Sequence, residues 1–204
     1  MRHYTHILLL LICLLPCRLS AQVKDSDRLG MAINYFQDQQ YHECLLILAD
    51  LDKTYKLNPR FRAYLAVCHY YEWNFAEASK IFVAVLPQLQ GLAPHEQSFY
   101  LFATAESLFY QDKFAEARPY YQQMMPLCYP NERGDAYYKI AFCLIREENY
   151  VEAYIALNQA LTYYQQYRNT QDTQPRIRQI ENMLYGCAEK MLTQIIAPTK
   201  SLIP

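Results

Sequence analysis

Glycine is scarce, with 4 in 204 residues. So low a count excludes a glycine-rich phosphate loop and leaves few tight turns that need a positive φ. A basic surplus is missing too: 19 Lys and Arg stand against 20 Asp and Glu. Without that surplus, nucleic acid is not expected as the main partner, because phosphate neutralisation needs clustered cations. Paired cysteine motifs are absent. After residue 21 the cysteines are Cys44, Cys68, Cys128, Cys143 and Cys187, an odd set with no C-x-x-C. That excludes a zinc site or a disulfide framework. They read as small apolar residues in helices, with one pair free to oxidise in an exporting compartment. H-E-x-x-H and G-x-S-x-G are missing, and His42, His69 and His95 are isolated from one another. No catalytic residue, cofactor or metal site is therefore expected, and His69 reads as a core or groove histidine.

What is present is apolar and aromatic. Hydrophobic residues make up 52% of the chain, and tyrosine alone occupies 20 positions. That is ample for a packed core. The start has its own layout: Arg2, an apolar run over 7–15, Pro16, then Ser20 and Ala21. This is the pattern of a secretory signal peptide over residues 1–21, cut after Ala21. The nine-residue run is too short to span a bilayer, so the mature chain is expected to have no transmembrane span. Cys17 offers a rival route, lipid attachment, but Pro16 before it and Arg18 after it fit that route poorly. The expected location is the periplasm or cell envelope, with the extracellular space as an alternative.

A four-residue pattern of aromatic, any, Glu, small then recurs at Tyr41–Cys44, Phe75–Ala78, Phe114–Ala117 and Tyr150–Ala153. The small residues are 34, 39 and 36 positions apart, a period that signals stacked helical hairpins. Twelve residues before each lies another small one: Ala32, Ala66, Ala105 and Ala141. Four after each lies a larger apolar one: Leu48, Phe82, Tyr121 and Leu157. A small residue on each helix lets two antiparallel helices approach closely, and the larger neighbours fill the groove between them. The recurring Glu43, Glu77, Glu116 and Glu152 sit in a first turn, where they meet the positive end of the helix dipole. They are structural, since they recur with the repeat.

The spacing predicts first helices over 26–38, 60–72, 97–110 and 134–147, and second helices over 41–56, 75–89, 114–127 and 150–167. Residues 87–97, with two prolines and a glycine, read as an extended loop that explains the 39-residue spacing. Residues 168–175 form a polar break. Ile177, Ile180, Leu184, Cys187, Met191 and Ile195 then make one amphipathic stripe, read as the capping helix that covers the last exposed face of a stack. The division is 1–21, 22–167 and 168–204.

The repeated positions over about 26–165 resemble the tetratricopeptide repeat family, in particular exported bacterial members. Departures are His69 where Tyr or Leu is usual, Cys44 for Ala, and a closing Pro that is displaced or absent. The resemblance implies an all-α, right-handed superhelical α–α solenoid of about four hairpins plus the capping helix. It also implies binding rather than catalysis, on a concave wall built from the first helices. Carried over, the wall includes Arg60, Glu106 and Asp135, but is mostly apolar and aromatic: Phe36, Tyr70, Phe99, Phe102, Phe109, Tyr138 and Phe142. Family members that clamp a C-terminal carboxylate place Lys, Arg and Asn there, so such a clamp is not expected. The leading expectation is an exported protein–protein interaction scaffold that binds a peptide or protein on this wall. A lipid-anchored component of outer-membrane assembly and a carbohydrate-binding module are the alternatives.

Overall fold

The computed structural model describes residues 24–200, with side chains as far as residue 194. The proposed signal peptide, Cys17 and the side chain of Ile195 lie outside them. The described residues form nine α-helices and no strand: α1 (Asp25–Gln37), α2 (Tyr41–Tyr55), α3 (Pro59–Tyr71), α4 (Phe75–Val85), α5 (Pro94–Phe109), α6 (Phe114–Met124), α7 (Arg133–Arg146), α8 (Tyr150–Tyr167) and α9 (Gln174–Lys200). Consecutive helices pack on each other, so α1/α2, α3/α4, α5/α6 and α7/α8 are four stacked hairpins with α9 against α8.

The repeat signature forms the core. Ala32, Ala66, Ala105 and Ala141, together with Cys44, Ala78, Ala117 and Ala153, are all fully buried, as are Leu48, Phe82, Tyr121 and Leu157. With no side chain beyond Cβ on most of these positions, the backbones come close enough for the larger residues to fill the space between them. Each buried large side chain is worth roughly 1.5–3 kcal/mol. On α9, Ile177, Ile180 and Cys187 are buried, so the stripe does cover the end of the stack. The five described cysteines are free and buried. The Cys44 thiol of α2, together with burial, pushes the Cys68 thiol of α3 up.

Three helix bounds differ from expectation by three residues or more. Helix α5 begins at Pro94 rather than 97, because Pro94 takes the first helical position, where its missing N–H is no loss. The expected loop over 87–97 is correspondingly short. Helices α4 and α6 end at Val85 and Met124 rather than 89 and 127. Pro87 and Pro126 follow closely and supply no N–H, and past Val85 the chain tightens into a 3₁₀ turn over Leu86–Gln88.

The four turns within hairpins are built alike without glycine. Gln39, Trp73, Asp112 and Glu148 all hold φ between 58° and 61°. In each turn this residue's N–H bonds back three positions, to Phe36, Tyr70, Phe109 and Ile145. The next N–H bonds back five, to Tyr35, His69, Leu108 and Leu144, at 2.8–3.1 Å. This closure satisfies the last carbonyls of the first helix. The left-handed backbone costs a residue with a Cβ roughly 1–2 kcal/mol. Glu148 is exposed and makes no side-chain hydrogen bond. Replacing Glu148→Gly should therefore raise the unfolding free energy in urea by about 0.5–1 kcal/mol, less than the full relief because glycine gains freedom in the unfolded chain. Glu148→Ala should be close to neutral; an equal gain from Ala would refute backbone strain as the cause.

Candidate functional site

The first helices of neighbouring hairpins lie beside one another, and the central one, α5, is buried on nearly every side from Ser98 to Leu108. Its Tyr100 and Ala103 join the core of the first two hairpins, while Leu101, Ala105 and Leu108 join that of the last two. Its polar groups are satisfied locally. The Thr104 and Ser107 hydroxyls donate to the carbonyls of Tyr100 and Ala103 at 2.6 Å. Gln111, just past the helix, donates to Phe75 O at 3.0 Å and to Ser79 Oγ at 2.9 Å, tying α5 to α4.

Glu106 is the exception that needs a partner from elsewhere. It is 5% exposed, and its carboxylate accepts from the Tyr121 hydroxyl of α6 and from Lys139 Nζ of α7, at 2.9 Å. Burial and the carboxylate push the Tyr121 phenol far up. The Lys139 ammonium also lies 4.1 Å from the Phe109 ring centre and 5.2 Å from that of Tyr110. One buried pair thus joins three helices.

The seven aromatic wall residues fall into separate groups. Phe36 stacks on Tyr64 at 4.2 Å. Tyr70 packs against Tyr71 and Phe75, at 5.2 and 6.0 Å. Phe109 and Phe142 meet at 5.1 Å beside Phe114. Tyr138 is 6% exposed, with the Arg176 guanidinium of α9 lying 4.1 Å above its ring. Phe99 and Phe102 line a cavity of about 170 Å³ between α5, α6 and α7, with Met124, Ser98, His95, Glu132 and Asp135. The other six wall positions named besides Tyr138 are half-buried.

The rim of this cavity is polar. His95 Nε2 is 3.0 Å from Glu132 Oε1, and the Tyr129 ring stacks on the imidazole at 4.2 Å. Asp135 accepts from Tyr164 and pairs with Arg168. The sequence reading did not join His95 to Glu132, although they lie 37 residues apart, one repeat length. Comparable offsets, 36 and 33 residues, separate Arg60 from Glu96 and Glu106 from Lys139, so near-repeat-length spacing of opposite charges was the available signal. A wider hollow of about 620 Å³ lies where α4 gives way to the 3₁₀ turn, lined by Val83, Leu86, Leu101 and Tyr120 among others.

The histidines have separate partners. His42 pairs with Glu72 at 2.9 Å, which raises its pKa. His69 lies 3.3 Å from Asn74 Nδ2, and burial lowers its pKa. Among the described residues no group of three or more His, Cys, Asp or Glu is placed to hold a metal. No described helix is long and apolar enough to cross a membrane.

No protein-family model and no curated protein matches the sequence. Solved structures do match in fold. MamA AMB-1 aligns with a TM-score of 0.65 at 10% identity, over 82% of this chain and 82% of that chain. The Yersinia enterocolitica type III secretion chaperone SycD, in complex with a peptide of the translocator YopD, gives 0.52 at 18% identity over 64% and 92%. A Podospora anserina putative kinesin light chain with nearly identical TPR-like repeats gives 0.55 at 15% identity over 85% and 89%. The chain has the all-α fold of a tetratricopeptide-type solenoid.

Replacing Lys139→Met should destabilise the protein by about 3 kcal/mol, since it leaves the Glu106 carboxylate buried without its cation. Adding Glu106→Gln should recover most of the loss, because a neutral amide needs no cation beside it. Urea unfolding reads both outcomes, and a double variant as unstable as Lys139→Met alone would contradict the assignment.

Proposed function

We propose that this protein is a protein–protein interaction scaffold that receives an apolar side chain of a peptide or protein partner in the cavity of Phe99 and Phe102. The observation that carries this reading is that cavity: an apolar floor of Phe99, Phe102 and Met124 under a polar rim of His95, Glu132 and Asp135. An apolar recess with a few convergent polar groups is the common form of a recognition pocket. Aromatic side chains give large contact area at low rotamer cost. A protein of the same fold, SycD, holds a peptide. The side-chain partners of His42, His69 and His95 are Glu72, Asn74 and Glu132. Phe36, Tyr70, Phe109, Tyr138 and Phe142 remain part of the proposed wall, with Tyr138 acting from beneath Arg176.

A random peptide library panned on the purified chain should enrich sequences with a Leu, Ile or Phe anchor. The affinity of a selected peptide, measured by calorimetry, should fall at least about tenfold, or 1.4 kcal/mol, in the Phe99→Ala, Phe102→Ala double variant while helicity is unchanged. Equal affinity would remove the cavity as the site.

Export to the cell envelope belongs to the same proposal and rests on the layout of residues 1–21. Intact-mass measurement of the chain recovered from an exporting cell should give a start at Gln22. A lipid-modified start at Cys17 would instead establish the anchored form, and a retained Met1 would refute export.

A further inference from the structure

We propose a second site, an aromatic cage for an alkylated ammonium group, formed by Tyr70, Tyr71, Trp73, Phe75 and Tyr110 where α3 turns into α4. The five rings line a half-open recess of about 160 Å³. Their planes differ: Tyr70 and Tyr71 cross at 72°, Tyr70 and Phe75 at 58°, and Trp73 and Phe75 at 56°, while Phe75 and Tyr110 stack at 17°. Walls in several planes surround a compact guest on more than one side. A flat platform, which a sugar ring would need, is not what they build. Ring faces carry negative potential, so a box of faces favours a cation.

The sequence breaks its own rule to make this box. Three of the four left-handed turn residues are polar: Gln39, Asp112 and Glu148. The fourth is Trp73, a bulky side chain at φ 61° and 77% exposed. It is the only tryptophan in the chain. Neither packing nor turn geometry explains an indole there. A large aromatic held out to solvent beside Tyr71 and Tyr110, themselves 42% and 53% exposed, points to a guest.

The surroundings choose the sign of that guest. The segments 38–44, 72–78, 111–117 and 147–153 line this edge of the solenoid and contain nine Asp or Glu residues against one lysine, Lys113; Glu72, Glu77 and Glu147 pair with His42, Lys80 and Arg118, which leaves six carboxylates against that lysine's single charge. Tyr70 and Tyr71 end α3, and Tyr110 caps α5. Two helix C-termini, with their partial negative charge, therefore face the cage. Phe75 opens α4 with the opposite polarity, which Glu77 in that first turn offsets. Lys139, 5.2 Å from the Tyr110 ring, is neutralised by Glu106 and shows that this ring already serves as a cation platform. The cage shares no residue with the Phe99 and Phe102 cavity, and of the proposed wall it takes in Tyr70 alone.

Trp73, being the sole indole, reports on the cage by fluorescence. Tetramethylammonium chloride, titrated against sodium chloride at matched ionic strength, should give a saturable change. The neutral carbon isostere of choline, 3,3-dimethylbutan-1-ol, should bind at least about fivefold more weakly. Tyr110→Leu keeps the reporter and should weaken tetramethylammonium at least about tenfold with helicity retained. Trp73→Leu, followed by calorimetry, should do the same and guards against a Tyr110 variant that fails to fold. Tighter binding of choline than of Nε-trimethyl-lysine amide would assign a headgroup-type source, and the reverse order a peptide side chain. No saturable change, equal response to the isostere, or indifference to both variants would overturn the site.

Discussion

Two antiparallel helices can approach closely only where each presents almost no side chain at the crossing. Eight such positions, Ala32 to Ala153, are fully buried here, and the rest of the structure depends on them. Close approach sets which neighbours fill the groove, so Leu48, Phe82, Tyr121 and Leu157 occupy equivalent places. It also sets the turn, because hairpin arms so close leave room for only a left-handed residue between them. The chain accepts that strain four times without glycine.

A stack of hairpins transmits little beyond nearest neighbours, and this molecule adds links of its own. Helix α5 belongs to both cores, and the Glu106–Lys139 pair with Tyr121 joins it to α6 and α7. A buried ion pair gains little against a well-packed apolar equivalent. Its consequence is geometric: Lys139 is held over Phe109 and Tyr110, and the relative placement of the third and fourth hairpins is constrained beside the cavity. The Tyr164, Arg168 and Asp135 cluster constrains the far rim. Gly134 lets it form, since a Cβ there would meet the Tyr164 ring at 3.1 Å.

The two proposed sites arise where the repeat is irregular. The Phe99 and Phe102 cavity adjoins the third and fourth hairpins, with His95 and Glu132 closing its edge. The cage exists because one turn carries Trp73 where the others carry polar residues. Regular positions build the scaffold, and both proposals rest on exceptions to the regularity. The even distribution of Glu43, Glu77, Glu116 and Glu152 supports the same division, for they belong to the scaffold and leave an acidic edge as a by-product.

The helix order, the hairpin pairing, the four second-helix starts and the buried small residues were legible in the amino-acid sequence by itself. Each follows from spacing along one chain: a 3.6-residue period, a recurring small residue and an aromatic at the turn. The ends of α4 and α6 and the start of α5 were read less well, because prolines at 87, 94 and 126 act through single missing N–H groups that periodicity does not register. Tertiary structure alone decided which aromatics share a cavity. Phe99 and Phe102 diverge from Phe109 and Phe142, though all four satisfy the same helical pattern, and Tyr138 lies beneath a residue 38 positions away. Contacts of that kind depend on how one hairpin is rotated on the next, a quantity summed over many small packing terms and written in no local motif.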